Sequence, residues 1–360
     1  MKIMQTELKE IGSEFWLEEQ KFQKKDSINY FNIGKDNKFL LSGRTAIYFV
    51  LEDILKRRKV KHVYFPSYCC DSMLQPFIDK NIEIEFYEVN YNNGFAYNID
   101  TNKECDVFFA MNYFGFTENN MNEYIKKIKE NGAIVIEDIT HSLLSDIRNS
   151  ESADYLVASL RKWFPIVTGG LAVKMNGEYL IKQHYKENKK IVEIKKDAMK
   201  LKYEYIKENK EIQKEEFLRK YGMANDILKN DYKRYSIDDI SLKILREMDI
   251  NAIKEQRRKN AKMLYDNLKN TKITFAFKEL KDIDCPLFVP ILLRQEEREN
   301  VRKYLIDNSI FCPIHWQRPT LIRNNNILYT SELSLVCDQR YTEKEIEKYI
   351  KLMIEYIKEK

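Results

Sequence analysis

Apolar and polar positions recur along this chain with two periods. In residues 45–58, TAIYFVLEDILKRR, the apolar positions Ile47, Val50, Leu51, Ile54 and Leu55 share one face at helical spacing and predict an amphipathic helix. A short strand is predicted over 62–65, ended by Pro66, followed by a helix over 71–80. IEIEFYEV (82–89) alternates with period two, the mark of a half-buried strand. Residues 106–111, AIVIED (133–138), YLVAS (155–159) and GLAVKM (170–175) are short apolar runs of the kind buried on both faces of a sheet, with a polar helix near 121–130. Strands alternating with helices predict an α/β fold with a mostly parallel, doubly wound sheet.

From 178 to 234 the texture changes. Lys, Glu and Tyr dominate, and one or two long helices are predicted, projecting from the domain or lying at a subunit interface, since their apolar surface looks too thin for core packing alone. Helix continues over 236–268. ITFAF and PLFVPILL then read as strands, 295–307 as a helix, and a last strand follows, which together suggest a smaller α+β domain. The final helix opens at Thr342 with Glu345 three positions on, a capping box, and buries Ile346, Tyr349, Ile350, Met353 and Ile357. The expected division is an N-terminal segment (1–30) packed on the small domain, a large domain (31–250) and a small C-terminal domain (251–360).

Composition narrows the classes. Apolar residues make up 44% of the 360 and charged residues 32%, enough apolar material for a large core, which excludes wholesale disorder. The balance of 61 basic to 56 acidic residues is interleaved along helical stretches, so no nucleic-acid groove is expected. No run approaches the roughly 18 apolar residues of a membrane span, and the first residues have no apolar signal core. Six scattered cysteines without a C-x-x-C, and only four histidines, argue against a metal site and for a reducing cytoplasm.

Three features carry chemistry. Asp138 ends a buried strand, where ligands sit in doubly wound folds; taken alone it reads equally as a turn or capping residue. Lys162, in SLRKWFPIVTGG, follows another strand in apolar surroundings that would lower its pKa; alone it is one surface lysine among many. SGRTAI (42–47) opens the first helix and could hold a phosphate, or Ser42 could be a plain N-cap. Together they describe one cofactor. Pyridoxal 5′-phosphate needs a lysine for its Schiff base, a carboxylate to keep its ring nitrogen protonated, and phosphate donors, among which Ser159 is a further candidate.

In this order along nearly the whole chain, these segments resemble the DegT-type (DegT/DnrJ/StrS) sugar aminotransferase family of fold-type-I pyridoxal-phosphate enzymes. SGRTAIYFVL resembles its helix start, VYFPSYCCDS its following strand and loop, and MNYFGF its strand ending in an aromatic-glycine pair. IEDITHS resembles its Asp-x-x-His motif, RKWFPIVTGG its lysine segment with a later glycine pair, and SIFCPIHW with SLVCDQRYTEKEI its C-terminal domain. The resemblance implies Lys162, Asp138 and His141 as catalytic residues. It implies Gly43, Arg44, Thr45 and Ser159 at the phosphate, Tyr68, Cys69 or Cys70 near the ring, and Ser236 reaching a neighbouring subunit's phosphate site. Asn112, Tyr113, His315 and Trp316 would approach the substrate.

The implied activity is amino transfer from an amino acid, glutamate as the expected donor, to a keto-sugar on a nucleotide, in surface polysaccharide or related sugar synthesis, by a homodimer. Two other readings stay open: a lyase or dehydratase on the same fold, and a binding or regulatory protein without turnover. The retained Lys162 argues against the dehydratases, which carry histidine there.

Overall fold

The computed structural model describes residues 8–358 apart from 19–26, 119, 209 and 212. Parts of the expected N-terminal segment, 1–7 and 19–26, and with them the first seven residues of the stretch read for a signal core, therefore lie outside the described residues. In chain order, the two-residue β1 (Ile11–Gly12) precedes β2 (Asp36–Leu40), α1 (Gly43–Leu55), β3 (His62–Pro66), α2 (Asp71–Ile78), β4 (Glu83–Tyr91) and β5 (Phe95–Asn98). Next come β6 (Val107–Met111), α3 (Asn122–Glu130), β7 (Ile134–Asp138), β8 (Tyr155–Ser159) and β9 (Gly170–Lys174). These strands form one eight-stranded sheet, ordered β2-β9-β8-β7-β6-β3-β4-β5. The run β4-β3-β6-β7-β8 is parallel, whereas β9, β2 and β5 join antiparallel. All five residues of β6 are buried, and β7 is buried from Val135 onward, as strands covered on both faces must be.

The strand order reverses between β3 and β6, where crevices open beyond the carboxyl ends of the strands. Register fixes what stands there: Met111 pairs with Asp138, and Asp138 with Val157. Ser159 ends the same edge one strand further on. The start of α1 is pressed against it. A Cβ on Gly170 would lie 2.1 Å from the Ser42 carbonyl oxygen, so only glycine lets β9 pass this helix start.

Beyond the sheet, α4 (Lys189–Glu208) and α5 (Gln213–Asn230) form a helical hairpin, followed by α6 (Asp239–Glu247) and α7 (Ile250–Leu268). The hairpin differs from the sequence expectation in two ways. Helix begins only at Lys189; Tyr179 and Leu180 instead hang by their backbone N–H groups from Asp36 and Asp53. The helices also have a core of their own, in which Met199, Tyr205, Phe217 and Tyr221 close over Phe15 and Trp16. Their apolar face looks thin in the sequence because distant residues complete it.

The remaining elements are β10 (Thr274–Phe275), β11 (Val289–Leu292), α8 (Gln295–Asp307), β12 (Ile310–Phe311), α9 (Leu328–Ser331), β13 (Glu332–Leu335) and α10 (Glu343–Lys358). Strands β10, β11 and β13 form an antiparallel sheet, and β1 pairs with β12. The capping box at α10 forms as read: the Thr342 N–H donates to Glu345 at 2.9 Å. Among the described residues, no helix is long and apolar enough to cross a membrane.

Candidate active site

A cavity of about 440 Å³ opens at the carboxyl edge of the sheet. Met111, Asp138, Thr140, Ser159, Arg161 and Lys162 form its inner wall, and Ser42, Gly43 and Arg44 contribute the start of α1. Cys70 and Trp316 line it from the loop after β3 and from the C-terminal part of the chain. On the remaining side stand Asn225, Asp226 and Lys229 of α5, so the hairpin forms part of this wall.

Lys162 ends a single 3₁₀ turn, Leu160–Lys162, directly after β8. The next residue anchors it. Trp163 is fully buried, its indole N–H donates to the Thr140 carbonyl at 2.6 Å, and Gln339 donates to its own carbonyl at 2.7 Å. The lysine Nζ lies 3.4 Å from His141 Nε2 and 5.5 Å from the Trp316 ring centroid. Burial holds its pKa below the ordinary lysine range, although Cys70 and Asp138 pull the other way.

Asp138 is 5% exposed and accepts the Thr140 N–H at 2.8 Å. Burial raises its pKa, opposed by those hydrogen bonds and by Lys162. Thr140 also accepts the Ser159 N–H through its hydroxyl, at 2.9 Å, and so ties the ends of β7 and β8 together. His141 is fully buried. Its Nδ1 accepts the Phe114 N–H at 3.1 Å, which leaves Nε2 to carry the proton toward Lys162. Burial keeps this ring neutral, with its pKa far below the usual histidine value.

At the start of α1, Ser42 caps the helix by accepting the Thr45 N–H at 3.2 Å. The N–H groups of Gly43 and Arg44 precede the first intrahelical bonds. A Cβ on Gly43 would lie 3.0 Å from the Ser159 Cβ, so this helix start and the end of β8 approach closely. Arg44 and Arg161 each bury a guanidinium Nε that has no partner among the described residues. An anion at this end, an amine-reactive carbonyl at Lys162 and a basic ring nitrogen at Asp138 would each meet a matching group.

No protein-family model matches the chain, and no curated protein does. Solved structures do. Helicobacter pylori PseC, an aminotransferase involved in the biosynthesis of pseudoaminic acid, is 14% identical, with 98% of this chain and 100% of that one covered and a TM-score of 0.64. A DegT DnrJ EryC1 StrS aminotransferase from Brucella abortus is 15% identical, with 93% and 89% covered and a TM-score of 0.61. Bacillus subtilis NtdA, solved with bound cofactor PMP, is 13% identical, with 94% and 78% covered and a TM-score of 0.60. The chain has the fold of these aminotransferases.

On this aminotransferase fold, Asp138, Lys162, Ser159, Gly43, Arg44, Cys70 and Trp316 meet at one cavity, with His141 directly behind Lys162. Other residues singled out in the sequence turn elsewhere. The Thr45 hydroxyl donates to the Tyr232 carbonyl at 2.8 Å. Tyr68 is sealed among Tyr113, Trp316 and Tyr329, and Tyr113 donates its hydroxyl to the Tyr68 carbonyl. Asn112 donates to Glu137 at 2.8 Å and accepts the Met121 N–H at 3.0 Å. His315 is buried against His141 and Trp316, its Nδ1 2.8 Å from the Ser334 hydroxyl, which in turn donates to Glu332. Ser236 lines a separate cavity with Lys38, Phe49 and Tyr185. Sequence reasoning missed Thr140, Arg161 and the α5 residues. Arg161 had a signal, its place between Ser159 and Lys162.

Proposed function

We propose that this protein is a pyridoxal-5′-phosphate-dependent aminotransferase. It moves an amino group from an amino acid, with glutamate as the expected donor, to a keto-sugar carried on a nucleotide, in the synthesis of surface polysaccharide or related sugars. It works in the cytoplasm as a homodimer. The observation that carries the reading is the convergence of the Lys162 amine, the Asp138 carboxylate and the start of α1 on one cavity. The shared fold with sugar aminotransferases supports it.

The residues fit this cofactor. Two half-buried arginines, Arg44 and Arg161, each with a buried Nε that has no partner among the described residues, line the same cavity as Gly43 and Ser159, the setting a phosphate needs. When bound, the cofactor supplies a reactive carbonyl and an electron-withdrawing ring. Lys162 Nζ would hold that carbonyl and would then be placed to move a proton; its lowered pKa keeps more of the amine unprotonated at neutral pH than an ordinary lysine would. Asp138, on the same cavity, would hold the proton of the ring nitrogen. His141 steadies the Lys162 amine through the Nε2 proton that its bond with Phe114 fixes. Trp316 and Met111 keep water from the inner wall.

Incubating the purified protein with pyridoxal 5′-phosphate and a panel of amino donors tests the proposal. A visible absorbance band that fades with glutamate, with release of 2-oxoglutarate, is the expected result. A band that persists while the sugar substrate is consumed would indicate a lyase, and a band unaffected by any donor would indicate binding without turnover.

A further inference from the structure

We infer that Arg161 is a ligand of the cofactor's phosphate and sets the site's preference for phosphorylated over unphosphorylated pyridoxal, an inference that rests on the proposed function. Arg161 lies in the turn between Ser159 and Lys162, and its side chain lines the same cavity. Its Nε is buried without a partner among the described residues, as is that of Arg44. The two guanidinium groups are near enough to repel, and Lys195 of α4 repels Arg161 from another side. The carboxylate facing Arg161 is Glu14. Of the acids lining the cavity, Asp71 and Asp226 are exposed at its rim along with Lys229. The cavity lining therefore gathers Arg44, Arg161 and Lys162 against Asp138, while Glu14, which attracts Arg161, is not part of that lining.

Like charges gathered in a partly buried wall are unfavourable unless an anion joins them. Asp138 is bonded to Thr140 and acts on Lys162, so the spare donors are those of Arg44 and Arg161, which share the cavity lining with Ser159 and Gly43. A guanidinium presents parallel N–H donors that match a phosphate's oxygens better than a lysine's point charge does. A dianionic phosphate at this end would satisfy both spare Nε donors at once.

The test is binding of pyridoxal 5′-phosphate and of pyridoxal to the cofactor-free protein, followed by quenching of tryptophan fluorescence. Wild type, Arg161→Gln and Arg161→Lys are compared, with thermal unfolding of each as the fold control. Arg161→Gln is expected to weaken pyridoxal 5′-phosphate by about tenfold or more while pyridoxal changes by less than about twofold. Arg161→Lys should lose less than the glutamine variant. Equal losses for both ligands, or no loss for the phosphorylated one, would overturn the inference while leaving the proposed function intact. A wild-type protein that binds neither ligand would overturn both.

Discussion

Glu137 and Asp138 are neighbours on β7, yet they live in different chemical worlds, because successive strand residues point to opposite faces of the sheet. Glu137 is fully buried in a closed network, accepting from Asn112 at 2.8 Å and from the Ser150 N–H at 2.8 Å. Burial pushes its carboxyl up to about 8. Asp138 opens on the Lys162 cavity, with one oxygen held by Thr140 and Lys162 pulling its pKa down against the effect of burial. The same division runs through β6 and the residue after it: Met111 lines the cavity, whereas Asn112 serves Glu137. Position at a strand end brings a residue to the site's edge. The face it presents decides whether it does chemistry or holds the edge together.

The comparison breaks most visibly at Asp138. Asp138→Asn keeps the shape and the bond with Thr140 but removes the charge that would hold the ring nitrogen's proton. A fall in turnover of about 10²–10³-fold is expected, with the unfolding midpoint nearly unchanged. Near-native turnover would remove Asp138 from the site.

Glu137→Gln tests the other face through pH. The folded pKa of Glu137, about 8, lies above its unfolded value of about 4.3, so between these values the native state holds a proton that the unfolded chain has lost. Its contribution is therefore complete below about pH 4 and declines as pH rises toward 8. Urea unfolding from pH 5 to 8.5 should show wild type losing on the order of 4 kcal/mol relative to the glutamine variant, which cannot titrate. A constant difference across that range would place no buried proton on Glu137. Asn112→Ala is expected to cost about 1–2 kcal/mol of stability, by leaving Glu137 Oε1 and the Met121 N–H without their partner, with turnover per folded molecule unchanged. A specific rise in the acceptor's KM at native stability would instead make Asn112 a substrate contact.

Much of the cavity face was legible before the structure, for a physical reason. Asp138, Ser159 and Lys162 end or directly follow apolar runs that parallel packing makes conspicuous, and ligands gather at those ends. Edge strands lack that mark: β2, DNKFL, is mostly half-buried, and neither it nor β5 stood out as a strand. The side that a loop residue presents is not periodic, so Tyr68 gave no sign that it would be sealed behind Trp316. Nor did Asn225, Asp226 and Lys229, which look like any solvated helix face until the hairpin docks against Phe15 and Trp16 and carries them to the cavity. Arg44 helps seat that docking, donating to the carbonyls of Leu228 and Lys229 at 3.3 Å each.

The central claim is that the cavity between Asp138 and the start of α1 holds pyridoxal 5′-phosphate on Lys162. Borohydride reduction of the cofactor-loaded protein, followed by proteolysis and mass spectrometry, tests it directly. The account expects the reduced phosphopyridoxyl mass on the peptide containing Arg161-Lys162-Trp163, in near-stoichiometric yield, and its absence there without borohydride. A tag on another lysine in comparable yield, or no tag on any, would contradict it.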